Sequence, residues 1–148
     1  MVNLITIRKV TKKKYIVPDF QRDYAWTESN LEVMLNDIME AWKQEKERYI
    51  LGPIVVSEQN KVIDGQQRLT SLMILLRALG CSTSDCFLGF ENRKHIEDLF
   101  KILGNPPSQT DNEEINDHPT CDKIRAMYQF TYEYLSKNQV LTKNTFFE

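Results

Sequence analysis

The sequence predicts a mixed α+β or α/β fold, with a small sheet and its helices in the N-terminal half and a helical C-terminal half. Three observations predict it. Short β-branched runs (Tyr15-Ile16-Val17, Ile54-Val55-Val56 and Lys61-Val62-Ile63) are each bounded by turn residues. Between and after them, apolar residues recur at helical spacing. The composition then shifts near Ser82 to Asp85, beyond which helical periodicity predominates. The expected division is residues 1–81 as the α/β unit and 82–148 as a helical extension.

The elements follow in order. Val2 to Ile7 alternates weakly and fits a short strand or a helical turn. Tyr15–Val17 is a strand that Pro18 ends, because proline has no N–H for the ladder. Ser29 with Glu32 fits a capping box for the next helix. That helix places Leu31, Met34, Leu35, Ile38, Ala41 and Trp42 on one face and Glu32, Asn36, Glu40 and Lys43 on the other. Tyr49-Ile50-Leu51, Gly52-Pro53 and Ile54-Val55-Val56 read as strand, break, strand. Ile54 to Ile63 fits a hairpin with a polar four-residue loop. Leu69, Leu72, Met73, Leu76 and Leu79 mark a second helix that Gly80 stops.

Cys81 to Gly89 is irregular or a weak strand. Ile96, Leu99, Phe100 and Leu103 mark a third helix. Ser108 to Pro119 is a polar loop without periodicity, and Thr120 can cap a fourth helix through Ile124, Met127, Tyr128, Thr131, Tyr134 and Leu135. The final Phe146-Phe147-Glu148 suggests a fragment of a longer protein.

At 148 residues the chain is long enough for one domain that buries roughly 70% of its unfolded surface. Hydrophobic residues at 41%, charged residues at 27% and a net charge of −2 give no global signature of nucleic-acid binding, so any such contact must come from a local patch. The cluster Lys12, Lys13, Lys14, with Arg8 and Lys9 before it, is such a patch, or else a solvated loop. Cys81, Cys86 and Cys121 lack Cys-x-x-Cys spacing, and His95 and His118 lie far apart in sequence, so spacing argues against zinc. No apolar leader and no apolar run of ~20 residues is present. Reduced thiols and a cytoplasmic location, with no membrane partner, are the expectation.

The chemistry concentrates in "VIDGQQRLTSL", Val62 to Leu72. It sits where a strand hands over to a helix. A helix start offers unpaired N–H groups and the positive end of the dipole. Beginning after Asp64, it would present the N–H groups of Gly65, Gln66 and Gln67, with no Cβ at Gly65 to obstruct a ligand. Arg68 adds a charged fork that fits phosphate oxygens. Gln66 and Gln67 both donate and accept, and Asp64 can hold a metal ion or take a proton. A purely structural reading is also open: Asp64 as an N-cap, Gly65 as a turn, Arg68 paired with Asp64 or Asp19. A second stretch, "FQRDYAW", carries Gln21 and Arg22 between Phe20, Tyr24 and Trp26, again between a strand end and a helix start. Two arginine-bearing joints can converge on one anion, with Tyr24 or Trp26 stacking a base.

"VPDFQRDYAW", "LGPIVV" and "VIDGQQRLTSL", in that order, resemble the N-terminal domain of GmrSD-type proteins, modification-dependent (type IV) restriction systems and related phage-defence proteins. The resemblance implies a ParB/sulfiredoxin-like fold for the first half. It also implies binding and hydrolysis of a nucleoside triphosphate with Mg²⁺, which gates DNA cleavage by a His-Asn-His-type nuclease domain or subunit whose histidines this chain lacks. Carried onto this sequence, Asp64, Gln67 and Arg68 become the catalytic candidates, with Asp64 also a candidate metal ligand. Gln21, Arg22, Gly65, Gln66, Arg68 and Thr70 become the nucleotide-binding candidates. Tyr24, Trp26, Lys12, Lys13 and Lys14 are left as base or DNA contacts. The alternatives are a DNA-binding or modified-base-sensing module without hydrolysis, and a structural fragment whose polar joints bond only to the chain itself.

Overall fold

A computed structural model describes residues 2–81, 87–104, 115, 118–138 and 146. Strand β1 (Tyr15–Val17) lies parallel to β4 (Leu88–Phe90), with Tyr15 opposite Leu88 and Val17 opposite Phe90. The hairpin of β2 (Val55–Val56) and β3 (Val62–Asp64) is antiparallel. One bridge, Ile16 opposite Lys61, carries pairing from β1 to the hairpin. Pro18 ends β1 as expected. The fold is α+β.

Between β1 and the hairpin runs α2 (Glu28–Lys43). Its cap is not Ser29 with Glu32. Thr27 is the N-cap and forms a reciprocal capping box with Asn30, in which a side-chain amide oxygen does the work of a carboxylate. Of the face the periodicity marks, Leu31, Met34, Leu35, Ile38 and Ala41 are buried and Trp42 is half-buried, while Met39 is buried as well. Tyr49–Leu51 carries no strand. Of the N-terminal segment only a one-turn helix forms, α1 (Ile7–Val10), capped by Thr6.

The centre of the molecule is α3 (Gln66–Ala78). The expected stripe is buried as far as Leu76, but so are Ile74 and Leu75, along with Ser71 and Arg77. A helix that is buried all round belongs inside the core, not on its surface. Truncating one of these leucines to alanine should cost ~2–5 kcal/mol. Gly80, at φ 82°, stops the helix as expected.

Two further helices, α4 (Lys94–Ile102) and α5 (Pro119–Lys137), contribute to the core, and α5 packs on α3. Thr120 does not cap α5. His118 does, accepting the Thr120 N–H on Nδ1, while Thr120 itself is buried in the first turn. The expected division at residue 81 is crossed by the β1–β4 pairing and by the α3–α5 contact. Most of the expected loop at 108–119, and residues 82–86 of the expected weak strand, lie outside the described residues.

Arg77 ties this half to the centre. Its guanidinium donates to the carbonyls of Cys81 and Leu103 from a buried position at the end of α3. A cation near a helix C-terminus also suits the dipole there.

Candidate functional site

The handover from β3 to α3 is tight because Gly65, the N-cap of α3, takes φ 95°. A Cβ there would lie 3.1 Å from Ile54 Cγ1 and 3.1 Å from the Pro53 carbonyl oxygen. Glycine is therefore needed for conformation and for space. Asp64 is not the N-cap. It ends β3, and its Oδ1 accepts the Gly65 N–H at 2.9 Å. The Gly65 N–H is thus taken by its neighbour and not offered outward. No side chain caps the helix beyond it, so the first-turn donors after Gly65 are left for another partner.

Over this joint opens a cavity of about 300 Å³ lined by Gln21, Arg22, Trp26, Asp64, Gly65, Gln66, Gln67 and Arg68. Both arginine-bearing stretches reach it. Their convergence is produced by side-chain clamps. Gln21 Nε2 donates to the Ile63 carbonyl at 3.1 Å, which fastens the first stretch to β3. Gln67 turns both ends of its amide on that stretch, donating to the Asp23 carbonyl and accepting the Ala25 N–H.

The two guanidiniums differ. Arg68 is half-buried and donates to the Pro53 carbonyl at 2.5 Å. It lies against the Gly52-Pro53 peptide so closely that a Cβ at Gly52 would sit 2.9 Å from its Cζ. One of its five N–H groups is used there. Arg22 is exposed and makes no hydrogen bond or ion pair among the described residues. Neither arginine pairs with a carboxylate among them, contrary to the structural reading in which Asp64 or Asp19 neutralises Arg68. Gln66 is largely buried and lines the cavity with its amide unpaired among the described residues. Asp64 is the one carboxylate among the lining residues. Asp19 bonds Asn92 Nδ2 at 2.9 Å, and Asp23 bonds Arg93 at 3.2 Å, both away from the cavity lining.

Several sequence candidates stand elsewhere. Tyr24 is not a base contact: it is buried, with its hydroxyl 2.7 Å from Ser71 Oγ. Burial pushes its hydroxyl up to about 12, a shift the Ser71 hydrogen bond partly offsets. The reason is register, since Tyr24 faces α3 where the loop crosses it. Thr70 does not reach a ligand either: it is buried, and its hydroxyl donates to the Gln66 carbonyl one helical turn back. Trp26 is half-buried and lines the cavity. Lys12, Lys13 and Lys14 are exposed and do not line it.

Sequence reasoning missed Arg93. Preceding α4, it donates to the carbonyls of Pro18 at 2.9 Å and Gln21 at 3.4 Å, and lies over the Phe90 ring. It is a second clamp on the Gln21-Arg22 stretch, beside that of Gln67. A lone arginine in a polar turn carries no sequence signal for this. The Gly52-Pro53 pair was legible as a break, but not as the bed for a guanidinium.

The family model described as GmrSD restriction endonuclease, N-terminal domain, matches residues 4–147. The chain belongs to the GmrSD N-terminal domain family. No curated protein matches it, and no solved structure does. As a GmrSD N-terminal domain it is a part of a restriction, phage-defence protein, and its cavity is lined from two of the three stretches on which the resemblance rests. No helix among the described residues is long and apolar enough to cross a membrane.

Proposed function

We propose that this GmrSD N-terminal domain binds a nucleoside triphosphate with Mg²⁺ in the cavity over the β3–α3 joint and, in the intact parent, hydrolyses it to gate DNA cleavage by a His-Asn-His-type nuclease domain or subunit. One observation carries this reading: Arg22 and Arg68, from different parts of the chain, line the same cavity as an uncapped helix start, with no carboxylate paired to either among the described residues. Unneutralised guanidiniums beside helix N–H groups select an anion with several oxygens.

The roles divide by what each group has left to give. Arg22 and Arg68 contact phosphate oxygens, joined by the first-turn N–H groups of α3. Asp64 would hold Mg²⁺ through its carboxylate, and the ion would supply charge neutralisation for the transferring phosphoryl group. Gln66 offers a free amide to position water or a ribose hydroxyl. Trp26 stacks the base. Gln21 and Gln67, whose amides are committed to main-chain groups, are positioning residues.

Titration of a fluorescent nucleoside triphosphate with Mg²⁺ tests the reading. Arg22→Ala is the clean variant, because Arg22 makes no hydrogen bond or ion pair among the described residues. It should lose about 1.5–3 kcal/mol of binding, the range for a hydrogen bond to a charged group. Arg68→Ala should lose at least as much. Equal binding by wild type and Arg22→Ala removes the proposal.

A DNA-contacting reading is favoured by one observation: Lys12, Lys13 and Lys14 are exposed and form no ion pair among the described residues. Retention of duplex DNA that falls steeply with salt, and is lost on replacing all three, supports it.

A further inference from the structure

α4 and the start of α5 bring together three metal-ligating side chains that the sequence keeps apart. His95 is in the first turn of α4, His118 precedes α5, and Cys121 is in the first turn of α5. One ligand atom of each lies within 4.8 Å of the other two. The two imidazoles stack with centroids 3.9 Å apart and 29° between their planes. Cys121 is fully buried and both histidines are half-buried. None of the three lines the arginine cavity.

We propose that His95, His118 and Cys121 form a site for a borderline-soft divalent cation of the zinc type, which staples α4 to α5. The donor set decides the class. One thiolate and two imidazoles suit zinc, whereas magnesium and calcium take oxygen ligands. Tetrahedral bonds of about 2.1 Å to nitrogen and 2.3 Å to sulfur place ligand atoms about 3.4–3.6 Å apart. The present separations, within 4.8 Å, must shorten to that span on binding, through side-chain rotation. Three protein ligands leave a fourth position for water.

The competing arrangement is a histidine cap on a packed ring pair. His118 Nδ1 accepts the Thr120 N–H at 3.2 Å and the Cys121 S–H donates weakly to the His95 carbonyl at 3.8 Å; cation binding sacrifices the thiol's bond, and the cap bond too where His118 coordinates through Nδ1, while three coordination bonds form. Burial pushes the Cys121 thiol up, an effect that nearby Arg125 opposes and Asp122 reinforces. In the cation-free site the thiol carries its proton, donating to the His95 carbonyl. On binding, its S–H bond breaks, the proton goes to solvent and a sulfur–metal bond forms, with no electron transferred.

The test uses Co²⁺ as the spectroscopic probe on the full chain, under reducing conditions, with excess Mg²⁺ and no nucleotide. Wild type should develop a thiolate-to-cobalt charge-transfer band with tetrahedral ligand-field bands, saturate at one equivalent, and lose both to Zn²⁺. Cys121→Ser should abolish the charge-transfer band, and Cys81→Ser should keep it. His118→Asn preserves a good N-cap and should weaken Co²⁺ binding at least about 100-fold, the upper end of what loss of even an outer-shell partner costs. Zn²⁺ should raise the Tm of wild type and not of His118→Asn. A wild-type spectrum without the charge-transfer band overturns the proposal, as does a band that survives Cys121→Ser. If circular dichroism shows Cys121→Ser unfolded, the wild-type spectrum and His118→Asn decide alone.

Discussion

Gln67 holds Ala25 by the main chain: its Oε1 accepts the Ala25 N–H at 2.7 Å, while its Nε2 donates to the Asp23 carbonyl at 3.1 Å. A side-chain amide thus replaces a strand partner and fixes the arginine-bearing loop to the central helix. Gln67→Glu should be informative because it keeps the acceptor for Ala25 and sets a second acceptor against the Asp23 carbonyl. An unsatisfied buried group costs about 1–3 kcal/mol. Urea unfolding should show that loss, and nucleotide affinity should fall with it although residue 67 keeps its size. Unchanged unfolding would mean the clamp is idle in solution.

The second clamp predicts a graded series. Arg93 is largely buried, with a side-chain exposure of 12%, while its partner Asp23 is 59% exposed, so the ion pair itself contributes little. The carbonyl bonds to Pro18 and Gln21 carry the effect. Arg93→Met should therefore destabilise by about 1.5–3 kcal/mol. Arg93→Lys should recover only part of this, because an ammonium cannot span the same acceptors as a guanidinium fork. Full rescue by lysine contradicts the assignment.

Gly52→Ala separates space from conformation. Gly52 sits at φ 124°, and its added Cβ would press on the Arg68 guanidinium at 2.9 Å. Gly80, at φ 82°, has nothing within 4 Å of such a Cβ. Both substitutions should lose about 1–3 kcal/mol of stability from backbone strain. Only Gly52→Ala should also weaken nucleotide binding, by moving Arg68. Isothermal titration of the two variants side by side checks this, and equal affinities would detach Gly52 from the site.

Tyr24 gives a pH prediction. Its hydroxyl is raised from 10.0 to about 12 by burial, so the folded state holds that proton more tightly than the unfolded chain. The resulting stability is complete below pH 10 and is lost as pH rises towards about 12. A two-unit shift corresponds to about 3 kcal/mol at most. Tyr24→Phe should flatten that part of the alkaline unfolding curve relative to wild type. It should also cost about 1 kcal/mol at neutral pH through the lost Ser71 hydrogen bond. Parallel curves for the two proteins contradict the burial argument.

The helical periodicities, the hairpin, the stop at Gly80 and the handover at Asp64–Gln66 were legible in the sequence because each depends on neighbours within a few residues. Apolar spacing selects a helix face, and a paired turn selects a hairpin. Caps were less legible, since Asn30 and His118 act as well as the residue types usually expected. The resemblance to the family, too, was drawn from three short stretches.

What only the tertiary structure decided is which side chains face which way once distant segments meet. The sequence placed Tyr24 beside Arg22 and Thr70 beside Arg68, but one member of each pair is buried in the core and the other lines the cavity. It separated His95 from Cys121, and the packing of α4 on α5 joins them. Local order follows from short-range sterics and hydrogen bonds, which the chain carries in its own neighbourhood. Convergence of Arg22 with Arg68 needs Gln21, Gln67 and Arg93 to bond main-chain groups more than forty positions away, and such long-range partners leave no periodic trace.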